Sequence, residues 1–107
     1  MMKRFHLAVG VADIASAVLD YSRRLACDPV VVVDGEYALW RTETLNFSIR
    51  KTTEEAGLLR HLGWEDAGAT AFYAEKDVNG ILWESFSAQQ QADEIQQLWP
   101  STQYQPE

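Results

Sequence analysis

The stretch RFHLAVGVADIASAVLDYSRRL, Arg4 to Leu25, determines how the first half of the chain folds. Its first eight residues alternate between bulky apolar side chains and a second set that includes His6, and this period of two predicts a β-strand. Asp13 is a favourable helix N-cap, and apolar residues then recur at helical spacing as far as Leu25. We therefore expect a strand with His6 on its less bulky face, followed by an amphipathic helix that packs on a sheet.

The rest of the chain predicts six more strands and a second helix. β-Branched and aromatic residues fill the segments PVVVV, YALWRTE and LNFSIRK, and the turn DGE separates the first two. A polar loop then leads to the segments LLRHLGWE, AFYAEK and ILWESFS. Ser87 and Gln90 match a capping box, and Pro100 ends the helix that this box begins. The order predicts an α+β fold with a C-terminal helix.

Composition and charge disfavour several classes of partner. The 107 residues are 47% hydrophobic and 23% charged, which is typical of one globular domain. A formal charge of -7 repels nucleic acid and anionic membrane surfaces. No apolar run approaches the roughly 20 residues of a membrane span, and His6 and Asp13 interrupt the apolar N-terminal stretch too early for a signal peptide. We expect a cytoplasmic protein without a nucleic-acid or membrane partner.

Three residues carry the chemistry that the sequence suggests. His6 and His61 each lie in a predicted strand, and Glu84 lies in the last strand beside aromatic residues. Taken singly, each histidine fits a hydrogen-bonded core residue, and the glutamate fits a solvated strand face. Taken together, two imidazoles and one carboxylate form a donor set that holds a divalent metal ion with open positions. Their separations along the chain neither support nor exclude convergence.

Three segments resemble the vicinal oxygen chelate superfamily, which includes glyoxalase I, extradiol dioxygenases, methylmalonyl-CoA epimerase and bleomycin-resistance proteins. These segments are FHLAVGVADIASAVLDYSRRLACDPVVV, LLRHLGWED and EKDVNGILWESFS. The resemblance implies paired βαβββ modules in a curled mixed sheet with a cleft. It assigns the single domain 1–107 a first module at about 4–51, a shortened second module at about 58–87 and a C-terminal helix at about 88–99.

The resemblance also implies a site and an activity. His6, His61 and Glu84 fall on the metal-ligand positions of the superfamily, and the ion would be Fe, Ni, Zn or Mn. The activity would be that of a lyase, an isomerase or a dioxygenase on a small molecule with vicinal oxygens. Glu84 is the candidate catalytic group, because it is the only carboxylate that we place in the cleft. Superfamily members of this size usually dimerise. The resemblance therefore also implies a homodimer, in which the partner subunit closes the cleft.

Two departures from the pattern leave a second interpretation open. The segment LNFSIRK has no carboxylate where the lyases carry a fourth ligand. It offers Asn46, as a weak oxygen ligand, and Ser48, with Arg50 further along. The second module is also too short for its helix. We expect four residues in the pocket: Asn46, Ser48, Trp40 and Trp64. The alternative function is therefore a non-catalytic protein of the bleomycin-resistance type, which sequesters an aromatic or cationic ligand.

Overall fold

One mixed β-sheet carries both halves of the chain. The computed structural model describes residues 2–106. Its strands lie side by side in the order β2-β3-β4-β1-β5-β7-β6. In chain order the elements are β1 (Lys3–Val11), α1 (Ile14–Leu25), β2 (Val31–Val33), β3 (Tyr37–Arg41), β4 (Leu45–Lys51), β5 (Leu59–Asp66), β6 (Tyr73–Lys76), β7 (Leu82–Phe86) and α2 (Ala88–Leu98).

The sheet is built from two unequal modules. The first runs from β1 to β4 in βαβββ order, and β1 pairs in parallel with β4. The second has only the strands β5, β6 and β7, and β5 pairs in parallel with β7. The antiparallel pair β1 and β5 joins the modules at the middle of the sheet. The predicted α+β fold, with a mixed sheet, a shortened second module and a C-terminal helix, is confirmed.

The helix α1 covers the outer face of the first module. Asp13 caps it as predicted, since its carboxylate accepts a hydrogen bond of 2.9 Å from the Ser16 amide. The apolar stripe of α1 packs on residues of β1, β3 and β4, and the fully buried members of this core are Ala38, Trp40 and Ile49. Burial of an indole of this size is a major contribution to the stability of the module.

The helix α2 covers the opposite face of the same module. It begins at the predicted capping box, in which Ser87 and Gln90 each bond to the backbone of the other. Ile95 then packs on Tyr37 and Leu39 of β3. After β7, the last strand of the second module, the chain crosses back so that α2 lies on the first module. A cavity lies between α2 and the centre of the sheet. Within residues 2–106, neither helix is long and apolar enough to cross a membrane.

A β-bulge interrupts the central pair of strands. Ala8 of β1 lies opposite His61 of β5, but the next residue, Val9, lies opposite Leu59. Arg60 is therefore the extra residue in β5. Neighbouring side chains in a strand normally point to opposite faces of the sheet. At a bulge, two consecutive side chains can point to the same face.

Candidate metal centre

The register of three adjacent strands brings the predicted ligands together. His6 of β1 lies opposite Gly63 of β5, and Gly63 in turn lies beside Glu84 of β7. His61 lies two residues before Gly63 and points to the same face, because side chains of a strand alternate with a period of two. The two imidazoles and the carboxylate each offer a ligand atom, and these three atoms lie within 4.8 Å of one another.

The separation between His61 and Glu84 matches that of two donors that share an ion. Nε2 of His61 lies 3.1 Å from Oε1 of Glu84, and the rings of His6 and His61 have centroids 4.9 Å apart. Two donors bound to one ion at about 2.1 Å lie about 3.0 to 3.4 Å apart. The pair in the second module already has that spacing. The donor set of two imidazole nitrogens and one carboxylate oxygen fits Fe, Ni, Zn or Mn.

Gly63 is a part of the site that sequence reasoning missed. Its φ of +154° is one that side-chain-bearing residues rarely adopt, and a Cβ atom there would lie 1.8 Å from the Glu84 carbonyl oxygen. Glycine is thus the residue that lets β5 and β7 approach while His61 and Glu84 stay in contact. The signal was a glycine inside an otherwise continuous strand pattern, which often marks a close backbone approach.

Asn46 fixes the orientation and tautomer of His6. Its Nδ2 donates to Oε1 of Glu65 over 2.8 Å and to Oε1 of Gln91 over 2.7 Å. Because a carboxylate only accepts, the amide nitrogen must face Glu65, and Oδ1 must face His6 Nδ1 at 2.8 Å. Nδ1 of His6 therefore carries the hydrogen, which leaves the lone pair of Nε2 free for a metal.

Glu65 anchors this network and was also missed. It is 4% exposed, and its carboxylate accepts hydrogen bonds from Arg4 at 2.7 Å and from Arg41 at 2.8 Å. Burial alone would raise the pKa of Glu65, but the hydrogen bonds from Arg41 and Asn46 and the charges of both arginines bring it below its ordinary value. The expectation that Glu84 is the only carboxylate in the cleft was wrong, because Glu94 lines the cavity as well. The period of two in β5 already placed Glu65 on the same face of the sheet as His61.

Burial shifts all three candidate ligands toward their neutral forms. Desolvation lowers the pKa of His61 to about 4, and the charge of Arg60 adds to this effect. Desolvation also lowers the pKa of His6, although its bonds to Asn46 oppose the shift. The pKa of Glu84 rises to about 7, mainly through burial. Imidazoles that stay neutral at physiological pH are in the form that binds metal ions.

The three groups open onto a cavity of about 630 Å³ under α2. Its wall carries His6, His61 and Glu84 on the sheet side, with Ser48 beside them, and Glu94 and Trp99 on the helix side. The remaining lining residues are Tyr37, Arg50, Arg60, Phe72, Leu82, Phe86, Gln90, Gln91, Ile95, Gln97 and Leu98. The site is therefore a wall of a space large enough for a small molecule.

The structure separates the four predicted pocket residues. Ser48 lines the cavity, whereas Asn46 lies behind His6 as its register partner on β4. Asn46 is thus not placed as an oxygen ligand, because its amide is fully engaged in hydrogen bonds. Trp40 faces α1 and donates to the Ser22 hydroxyl at 3.2 Å. Trp64 alternates with His61 and Gly63 and lies on the opposite face of the sheet, 39% exposed.

Comparison with known proteins adds no relative. The chain matches no model of a known protein family and no curated protein. The resemblance to the vicinal oxygen chelate superfamily therefore rests on the three sequence segments alone.

Proposed function

We propose that this chain is a member of the vicinal oxygen chelate superfamily that binds one divalent metal ion through His6, His61 and Glu84. The enzyme would act on a small molecule with vicinal oxygens, and we place it in the cytoplasm. One observation carries the proposal: the ligand atoms of three residues from three strands lie within 4.8 Å of one another on the wall of a cavity. The fixed tautomer of His6, with its Nε2 lone pair free, supports it further.

The chemistry follows from the donor set. A divalent ion held by His6, His61 and Glu84 would supply Lewis-acid chemistry toward two neighbouring oxygens of a substrate. His6 and His61 supply neutral donors, and the network behind His6 holds its ring in one orientation. Glu84 is the candidate catalytic group, whose carboxylate on the cavity wall would accept a proton where it does not serve as a ligand. Glu94 of α2 is the second carboxylate of the cavity that is available for this role.

Metal stoichiometry tests the proposal. Chelator-treated protein is reconstituted separately with Fe(II), Ni(II), Zn(II) and Mn(II), dialysed, and analysed for metal content. We expect about one ion per chain, and we expect it to be lost in His61→Ala and Glu84→Gln.

Glu75→Gln is the matched control, because Glu75 is an exposed carboxylate on β6 and lies beside Trp83 rather than beside Glu84. Circular dichroism checks that each variant is folded. The proposal would be overturned if both site variants keep the metal content of the wild type, or if the wild type binds none of the four metals tightly.

A second candidate function is non-catalytic sequestration of a small molecule. The observation in its favour is the aromatic part of the cavity wall, where the rings of Phe72 and Phe86 stack with centroids 6.3 Å apart. The absence of a carboxylate at the fourth ligand position of β4 agrees with it. A sequestering protein needs no metal, so wild-type protein that binds an aromatic ligand equally well with and without metal would favour this function over the enzyme.

We also propose that the protein is a homodimer. Without a helix in the second module, the outer face of β5 and β7 carries an uncovered aromatic cluster. Phe5 lies 5.2 Å from Trp64 and 6.4 Å from Trp83 between ring centroids. A second copy of the chain would bury these rings, and exposed apolar clusters of this kind are typical of subunit contacts.

A further inference from the structure

The β-bulge in β5 gives the cavity a positive charge next to the candidate ligands. In an uninterrupted strand, the residue before His61 would point to the opposite face of the sheet. The register slip between Ala8 and Val9 makes Arg60 the extra residue, and its side chain lines the cavity together with that of His61. Bulges often re-aim a side chain beside a functional site.

Arg60 has no partner that explains its position. It forms no ion pair and no side-chain hydrogen bond with any residue between 2 and 106. Its side chain lines the same cavity as those of His6, His61 and Glu84. Arg60 is exposed, and a guanidinium on a cavity wall that forms no ion pair is available to a ligand.

A second arginine faces the same cavity. Arg50 of β4 is half-buried, and its guanidinium lies 5.4 Å from the centre of the Trp99 ring. It too is without an ion pair among the described residues. The opposing charge is Glu94 on α2, which lines the cavity and raises the pKa of Glu84. The wall thus carries two arginines and two carboxylates, Glu84 and Glu94, and neither arginine forms an ion pair with either carboxylate.

We propose that Arg60 binds an oxyanion of the substrate, which makes the substrate a small organic acid that carries its acidic group next to its vicinal oxygens. The assignment of the vicinal oxygens rests on the proposed function, whereas the oxyanion site itself does not need the metal. A carboxylate suits this site, because its two oxygens match the paired N–H groups of a guanidinium. The apolar rings of Phe72 and Phe86 would contact the body of the same molecule.

The test uses probes that cannot chelate a metal through vicinal oxygens. Chelator-treated full-length protein is titrated calorimetrically with benzoate, phenyl phosphate and the neutral analogue benzyl alcohol. We expect Arg60→Gln to weaken benzoate binding at least fivefold and to leave benzyl alcohol binding unchanged. Glu94→Gln should strengthen benzoate binding, because it removes the opposing charge. Arg23→Gln is the matched control, since Arg23 is an exposed arginine of α1 with a side-chain exposure of 71%.

The outcomes separate this proposal from the metal proposal. Benzoate binding that is absent in the wild type, or that Arg60→Gln changes no more than Arg23→Gln does, would overturn the oxyanion site even if metal binds. Arg60-dependent binding with no tight metal would support the oxyanion site and overturn only the proposed function. Arg60-dependent binding that is tighter for phenyl phosphate than for benzoate would support the site and assign a phosphate rather than a carboxylate to it.

Discussion

Oδ1 of Asn46 lies 2.8 Å from Nδ1 of His6, and this contact determines which imidazole nitrogen faces the cavity. The two residues are register partners on the parallel strands β1 and β4, so their side chains lie side by side. Asn46 cannot rotate to present its NH₂ group instead, because Nδ2 is bonded to the carboxylate of Glu65. Asn46 does not line the cavity, but it fixes the tautomer and orientation of His6, which does.

Replacement of Asn46 should weaken metal binding without removing a ligand. In Asn46→Leu, His6 loses the partner that holds its tautomer, and we expect the metal affinity to fall about 10- to 100-fold. Glu65 and Gln91 also lose a buried partner, so the free energy of unfolding should fall by about 1 to 3 kcal/mol. Competition with a chromogenic chelator and urea denaturation measure the two effects. Asn79→Leu, at an exposed turn position, is the control, and an equal loss in both variants would contradict the prediction.

Glu65→Gln should destabilise the fold in a pH-dependent way. The carboxylate bonds to Arg4 and Arg41, whose side chains are 20% and 10% exposed, so its neutralisation leaves two mostly buried cations underpaired. We expect a loss of about 3 kcal/mol at neutral pH. Glu75→Gln, at an exposed carboxylate of β6, should change the free energy of unfolding by less than about 0.5 kcal/mol.

The sign of the pH dependence follows from the lowered pKa of Glu65. A carboxylate whose pKa in the folded state is below the ordinary value of 4.5 stabilises the fold fully above that value. This contribution is lost as the pH falls through the folded-state pKa. The difference between wild type and Glu65→Gln should therefore be constant from pH 5 upward and should shrink below about pH 4.5. Urea denaturation across this range measures it, and a difference that grows on acidification would contradict it.

Gly63→Ala should be far more damaging than the same change at Gly35. Both glycines have positive φ, at +154° and +73°, so alanine is strained at each of them. Only at Gly63 does the new Cβ meet the backbone, at 1.8 Å from the Glu84 carbonyl oxygen, whereas nothing lies within 4 Å at Gly35. We expect Gly35→Ala to cost about 1 to 2 kcal/mol and Gly63→Ala to cost more than about 4 kcal/mol. Thermal and urea denaturation compare the two, and similar losses would contradict the close approach of β5 and β7.

The sequence predicted the parts of the fold that depend on local periodicity. The period of two around His6 and the helical stripe after Asp13 gave the first strand and helix, and both lie where they were expected. It could not predict which residues become register partners across strands, since that pairing joins distant parts of the chain. The bond between Asn46 and His6 was missed for this reason. The prediction that Trp40 lines the pocket was wrong for a similar reason. Alternation in β3 shows that Trp40 and Tyr37 face opposite sides of the sheet, but only the packing of α1 and α2 shows which side holds the cavity.

Replacement of Trp64 by glutamate should dissociate the homodimer that we propose. Trp64 is 39% exposed and packs with Phe5 on the part of the outer sheet face that α1 leaves uncovered. A carboxylate at this position would be buried, and therefore costly, in a dimer but solvated in a monomer. Light scattering after size exclusion should give about twice the chain mass of 12.1 kDa for the wild type and a single chain mass for Trp64→Glu. Leu19→Glu is the matched control, because Leu19 is an apolar residue of α1 that is 77% exposed and lies outside the aromatic cluster. A monomeric wild type would contradict the dimer, and dissociation by both variants would show that the interface lies elsewhere.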